Sequence, residues 1–195
     1  MAGVNTKDVY LLGPDQSSST GAIKVAALGA TMPTDARTAL TGTWTDGGYI
    51  SEAGITLNVN RSNTDIKDWG LNKVRVATTD FGTTVTGEFL QLDEFAAKQL
   101  VGASNVTVTA KTSTHGTQLR IKIGPELPPQ QAFVINMKDG DRRGRIAIAN
   151  GQVTEIGSPT FVPSAGNVWP FTISCYDDGT GHSVEVLLDD GVVSS

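Results

Sequence analysis

The sequence predicts a mainly β protein in which antiparallel strands are covered by one short helix. Apolar and polar residues alternate with period two through much of the chain, the mark of strands with one buried face. Gly and Thr account for 22 and 24 of 195 residues, and both favour strands and tight turns over helix. One segment, about residues 93–101, has helical spacing instead.

In chain order, Ile55, Leu57 and Val59 alternate with Thr56, Asn58 and Asn60. Weaker alternation predicts strands at 73–79, 83–92 and 105–111. Between them, Leu92, Phe95, Ala96, Gln99 and Leu100 fall at i, i+3, i+4, i+7 and i+8, one apolar stripe of a helix. Asp93 supplies its cap, Lys98 lies near its C-terminal end, and Gly102 is its stop. Further on, Leu119, Ile121 and Ile123 form one parity, as do Phe133, Ile135 and Met137. Strands 143–149 and 151–156 read as a hairpin turning at Asn150-Gly151, a dipeptide that accepts positive φ. Trp169, Phe171, Ile173 and Cys175 share one face of the next strand, and Val184, Val186 and Leu188 one face of the last. Asp139-Gly140-Asp141, Asp177-Asp178-Gly179 and Asp190-Gly191 mark turns. Three stretches read as irregular: Gly13–Gly21, Met32–Gly48, and Asn60–Asn72, a polar run that carries Ile66 and Trp69.

The length suits a single domain with a normal core. Met1–Lys7 lacks a basic region followed by an apolar one, and Gly21–Ala30 contains Lys24 and is too short to span a bilayer. The expectation is a soluble protein made in a cytoplasm, with no membrane partner.

No catalytic constellation emerges. His115 and His182 both sit in Gly/Thr turns, and neither has a second ligand at helical spacing. No phosphate-binding or nucleophile motif is present. Asp139/Asp141, Asp177/Asp178 and Asp189/Asp190 each lie beside a turn glycine, so hairpin chemistry accounts for them. Cys175 has the parity of the core. No enzyme, cofactor or metal is expected. Fifteen basic residues against twenty acidic give a net charge of −5, which attracts neither nucleic acid nor anionic membrane. Arg142-Arg143-Gly144-Arg145, with Lys138 nearby, is the one local cationic run, and Arg61, Lys67, Lys73 and Arg75 make a looser set.

From residue 27 the chain reads Ala27-Leu28-Gly29-Ala30-Thr31-Met32-Pro33-Thr34-Asp35-Ala36, then Gly48-Tyr49-Ile50-Ser51-Glu52-Ala53-Gly54-Ile55. It continues with Arg61-Ser62-Asn63-Thr64-Asp65-Ile66-Lys67-Asp68-Trp69-Gly70. With the 93–101 helix, Arg142–Ile148, Gln152–Gly157 and Ile173–Tyr176, this resembles the tail tube (major tail) proteins of long-tailed, non-contractile bacteriophages. The resemblance implies an antiparallel β-sandwich or barrel-like body with a flanking helix, and one tube domain over 1–195 without an added immunoglobulin-like domain. It further implies hexameric rings stacked into a virion tail, assembled in the bacterial host cytoplasm. The partners it implies are the chain itself, a tape measure protein, tail tip and tail terminator proteins, and double-stranded DNA that passes without specific binding.

By the same resemblance, loops around 33–48 and 60–72 contact the adjacent ring, with Asp65, Lys67 and Trp69 as contact residues; the alternative for Trp69 is that it plugs the sandwich as a core residue. Arg142, Arg143 and Arg145 are candidates for pairing with Asp177, Asp178, Asp189 or Asp190 of a neighbour. Lumen-facing strands are expected among 47–59, 73–86 and 131–149, and an acidic wall would repel phosphates. Two alternatives carry less. A carbohydrate-binding or adhesin-like module would need clustered exposed aromatics, whereas Trp44, Trp69 and Trp169 are scattered. The tube protein of a contractile injection system shares the architecture but belongs to a different machine.

Overall fold

The computed structural model describes residues 9–15, 21–163 and 166–192; Met1–Lys7 and positions 16–20 of the Ser-rich stretch lie outside them. Its strands are β1 (Gly13–Pro14), β2 (Ile23–Ala27), β3 (Thr45–Asp46), β4 (Ile50–Lys67), β5 (Lys73–Phe89), β6 (Val106–Thr109), β7 (Gln118–Ile121), β8 (Gln131–Asp139), β9 (Arg142–Ile156), β10 (Trp169–Cys175) and β11 (Glu185–Asp189). Helix α1 (Glu94–Val101) lies between β5 and β6. The main sheet runs β3-β2-β8-β9-β10-β5-β4, with β1 beside β2 on β8 and β11 beside β10 on β9. Every pairing is antiparallel, and β6–β7 forms a separate two-stranded sheet.

The two ends of that order, β3 and β4, are consecutive in sequence, joined by Gly47-Gly48-Tyr49. Such a link spans at most roughly 14 Å, so the sheet curls until its edges approach. No ladder joins them, and the barrel stays open. Glycine is required at this corner. Gly47 donates its N–H to the Ile23 carbonyl at 2.7 Å, and a Cβ there would lie 3.0 Å from both that oxygen and the Phe95 ring. The expected mainly β, barrel-like body with one flanking helix thus takes a curled, open form.

The inner face of the curl holds one core. Ile23, Val25, Val85, Phe89, Phe133, Ile135, Ile146, Ile148, Phe171 and Ile173 are all buried there. Phe89 and Phe171 pack with ring centroids 4.5 Å apart. Truncating either would cost about 3–5 kcal/mol. Helix α1 adds Ala96, Leu100 and Val101 to this core. Its ends follow the sequence reading: Asp93 Oδ1 accepts the Ala96 N–H at 2.8 Å, and Gly102 closes the last turn at φ 84°.

Three readings are corrected. Asn150-Gly151 is not a hairpin turn, because β9 runs straight through it. The register against β8 shifts from Phe133↔Ile148 to Gln131↔Gly151, so one extra residue bulges out of β9. The bulge moves the buried parity from Ile146 and Ile148 to Gly151 and Val153, keeping all of them on the core face. A Cβ on Gly151 would sit 2.9 Å from Phe133 and 3.1 Å from Ile148 and Ile173, so close packing selects glycine here. The bulge also divides the strand. Its first half pairs with β11 and its second with β10.

Likewise, 73–79 and 83–89 belong to one strand, with 90–92 beyond its end, and Asn60–Asn72 is not a loop. Residues up to Lys67 continue β4, and 68–72 turn into β5.

Candidate assembly surface

β4 and β5 pair from Ile50↔Phe89 out to Lys67↔Lys73, whereas β10 follows β5 only as far as Thr83. Beyond that point the two strands leave the body as an arm with no ladder partner on either edge among the described residues. Asn60–Lys67 and Lys73–Phe81 are exposed throughout except for Ala77, which is half-buried. The arm nonetheless carries Ile66, Trp69, Leu71, Val74, Val76 and Phe81 exposed, and Val59 exposed at its base.

These residues form strand because β-branched side chains favour the pleated backbone. Cross-strand pairs add to it. Lys73 Nζ lies 2.7 Å from Asp65, Thr78 donates to Asn63 Oδ1 at 3.0 Å, and the Arg61 guanidinium sits 5.5 Å over the Phe81 ring. Each contributes about 0.2–1 kcal/mol. A two-stranded ribbon is at best marginally stable alone in water, so an arm of this length gains from cover by another surface.

The tip is built to present side chains outward. Asp68 accepts the Asn72 N–H at 2.8 Å and the Asn72 side-chain amide at 3.2 Å, and the Leu71 N–H donates to the Asp68 carbonyl at 3.0 Å. Those amide donors hold the Asp68 carboxyl below the ordinary carboxylate range. Leu71 takes φ 65°, a left-handed conformation unusual for a bulky side chain. Trp69 is 102% exposed and touches nothing that would make it part of the core. Asp65, Lys67 and Trp69 therefore lie together at the end of the arm. Asp65 is engaged by Lys73, and Lys67 has no ion-pair partner among the described residues.

The arginine run lies elsewhere, at the β8–β9 turn. Arg142 sits 3.7 Å from Asp139, donates to the Val9 carbonyl at 2.6 Å and lies over the Tyr10 ring. Arg143 donates to the Gly140 carbonyl at 2.6 Å. Arg145 is a correction: it is 5% exposed and turned into its own subunit, which removes it from the contact surface. Its Nε donates to Asn136 Oδ1 at 2.7 Å, and its Nη1 to the carbonyls of Asp35 at 2.7 Å and Thr38 at 3.1 Å. Burial pulls its pKa down, while Asp35 and Asp15 oppose the shift.

That guanidinium fastens the 33–44 loop against the sheet. Arg37 adds a second tie to Asp189 at 2.8 Å. Hydrogen bonds from Thr38, and then from the Arg37 amide, hold the Asp35 carboxyl down at about 2. The loop around 33–48 is thus tied to the body, unlike the free 60–72 arm. The acidic candidates are partly occupied too. Asp177 and Asp178 accept N–H groups of their own turn, Asp189 holds Arg37, and Asp190 accepts the Val192 amide.

Sequence reasoning missed Leu71, Val74, Val76 and Phe81 as exposed arm residues. The available signal was β-branched density on both sides of a polar stretch. The other tryptophans do not join Trp69: Trp169 is buried, and Trp44 is half-buried and donates to the Thr41 carbonyl. Burial pushes the Cys175 thiol up to about 12, which fits a packing role.

A comparison with curated protein sequences returns no match. Among solved structures, the chain is similar to a component of an extracellular contractile injection system, the PVC sheath–tube complex in its extended state. The identity is 11% and the TM-score 0.34, over 70% of this chain and 84% of that one. The sequence model of the family described as phage tail tube protein matches residues 16–194. A match over nearly the whole chain identifies it as a structural component of the phage tail, and the chain belongs to the phage tail tube protein family.

Proposed function

We propose that this chain is the repeating subunit of the tube, forming hexameric rings that stack into the conduit for genome ejection, with the β4–β5 arm as its contact to a neighbouring ring. The observation that carries this is the arm itself: a ribbon exposed on both faces and both edges, yet studded with apolar side chains from Val59 to Phe81. A solitary edge of this kind invites pairing with another chain, and an assembly that uses it turns that liability into a contact. A head-to-tail contact between rings does not close on itself, so it propagates a filament. Arg142 and Arg143 stay at the surface, where acidic groups of a neighbour can pair with them. A tape measure protein inside the tube, and tip and terminator proteins at its ends, complete this reading. Assembly takes place in the host cytoplasm, and DNA passes without specific binding.

Negative-stain microscopy of the purified protein tests it. Rings or hollow tubes are expected. Persistent monomers with affinity for glycans would favour a carbohydrate-binding module instead.

A further inference from the structure

One cleft lies far from the arm tip, between the end of β2, the chain at Thr43–Thr45 and the first turns of α1. It encloses about 650 Å³, a size that takes a small organic group. Val25, Ala26 and Phe95 give it an apolar lining, and Gln99 opens into it. Two features leave it incomplete within the subunit. β3 covers β2 only at Lys24 and Val25, so Ala26 and Ala27 have no ladder partner on that side among the described residues. Gln99 is 9% exposed, and its side-chain amide makes no hydrogen bond among the described residues. Polar groups so enclosed are ordinarily bonded, so an occupant that bonds this amide is favoured.

The arm of the same subunit cannot reach the cleft. β5 runs from Lys73 at the tip to Phe89, which pairs with Ile50, and the Phe95 ring lies against the Gly47 corner next to Ile50. The cleft therefore sits at the Phe89 end. The 17 residues of β5, at about 3.3 Å each, separate it from the tip by roughly 50 Å. A copy displaced along the strand direction, in the same orientation, brings its cleft to the tip.

Accepting the arm as the contact to a neighbouring ring, we infer that this cleft beside α1 is the receptor for the arm of another copy and takes its Trp69 indole. The chemistry of the two surfaces matches. The indole is apolar with a single N–H, which makes no hydrogen bond among the described residues of its own subunit. The cleft supplies apolar walls and one free amide, whose oxygen accepts that N–H. Asp93 and Glu94 line it as well, opposite in sign to the unpaired Lys67 of the tip. The contact joins unlike surfaces at opposite ends of the subunit, so it does not close on itself and gives every ring in a stack the same polarity.

Leu71→Cys and Thr43→Cys in one chain test the pairing, because these two exposed positions can meet only between copies. Tubes treated with a short bis-maleimide should yield, on a denaturing gel, a ladder of several joined subunits. Each single variant should give dimers at most, which controls for Cys175. A double variant that assembles without a ladder overturns the inference. Ala27→Trp fills the cleft from its exposed rim; it should leave circular dichroism unchanged and raise the concentration needed for tubes at least about tenfold. Assembly of that variant at the wild-type concentration likewise overturns the inference. If Ala27→Trp unfolds, the ladder decides, and if the cysteine pair blocks assembly, Ala27→Trp decides. Should the joint Trp69→Ala and Lys67→Glu variant fail to assemble while both cleft tests are negative, the arm contact stands and this receptor falls. Should that arm variant assemble normally, the arm contact itself falls, and this inference with it.

Discussion

Replacing Trp69 by Ala together with Lys67 by Glu should leave the subunit folded and disable its assembly. In the isolated subunit Trp69 is 102% exposed, so its truncation removes no core contact. The expected stability change is within about 0.5 kcal/mol, or about 1–2 °C in melting temperature. In a docked arm the balance differs. An indole buries about 150–250 Å², which at about 25 cal/mol per Å² is worth about 4–6 kcal/mol when fully covered and about 2–3 when half covered. Loss of about 2 kcal/mol per contact weakens each contact about 30-fold. Lys67→Glu adds a carboxylate beside Asp65 and Asp68 and removes the unpaired ammonium of the tip. The critical protein concentration for tube formation, read by sedimentation and microscopy, should therefore rise at least about 30-fold while circular dichroism stays unchanged. A molten variant, or one that melts about 10 °C lower and still assembles at the wild-type concentration, would place Trp69 in the fold and refute the reasoning.

Gly151→Val should cost about 1–3 kcal/mol, because its Cβ would meet Phe133, Ile148 and Ile173 at 2.9–3.1 Å; a thermal melt checks it, and no loss would mean the bulge has room to spare. Arg145→Met leaves the Asp35 and Thr38 carbonyls without their donor, at about 1–3 kcal/mol; trypsin should then cut after Arg37 roughly tenfold faster or more, and Arg145→Lys should not restore protection because it lacks the planar fork. Asp35 has its carboxyl depressed from 3.8 to about 2, so its contribution is full above pH 4 and lost as pH falls from about 4 to 2. The protection of the Arg37 and Thr38 amides against hydrogen exchange, taken relative to the unstructured-peptide rate at each pH, should fall across that window, and protection that is flat with pH would contradict the assignment.

Local signals were legible where one face is buried and the cap chemistry is standard. The α1 helix reads from its apolar stripe, Asp93 and Gly102, because each acts through contacts within a few residues. Core strands β8 and β10 read from strict alternation for the same reason. Asn150-Gly151 misled because a turn and a bulge draw on the same residues. What decides between them is the packing of Phe133 and Ile173 on Gly151, which are 18 and 22 positions away in sequence. The β4 side of the arm was illegible as strand because neither of its faces is buried in the subunit, so no alternation marks Asn60–Lys67; its β5 side showed only the weak alternation at 73–79. Arg145 could not be told from Arg142 and Arg143 by composition. Its burial depends on Asp35 and Thr38, more than a hundred residues upstream.

A density map of assembled tubes tests the central claim most directly. Residues 60–81 should be covered on both faces by subunits of a neighbouring ring, with Trp69 and Leu71 enclosed and the arm edges paired or packed. A map in which rings stack through other surfaces, while the arm stands free in solvent, would contradict it.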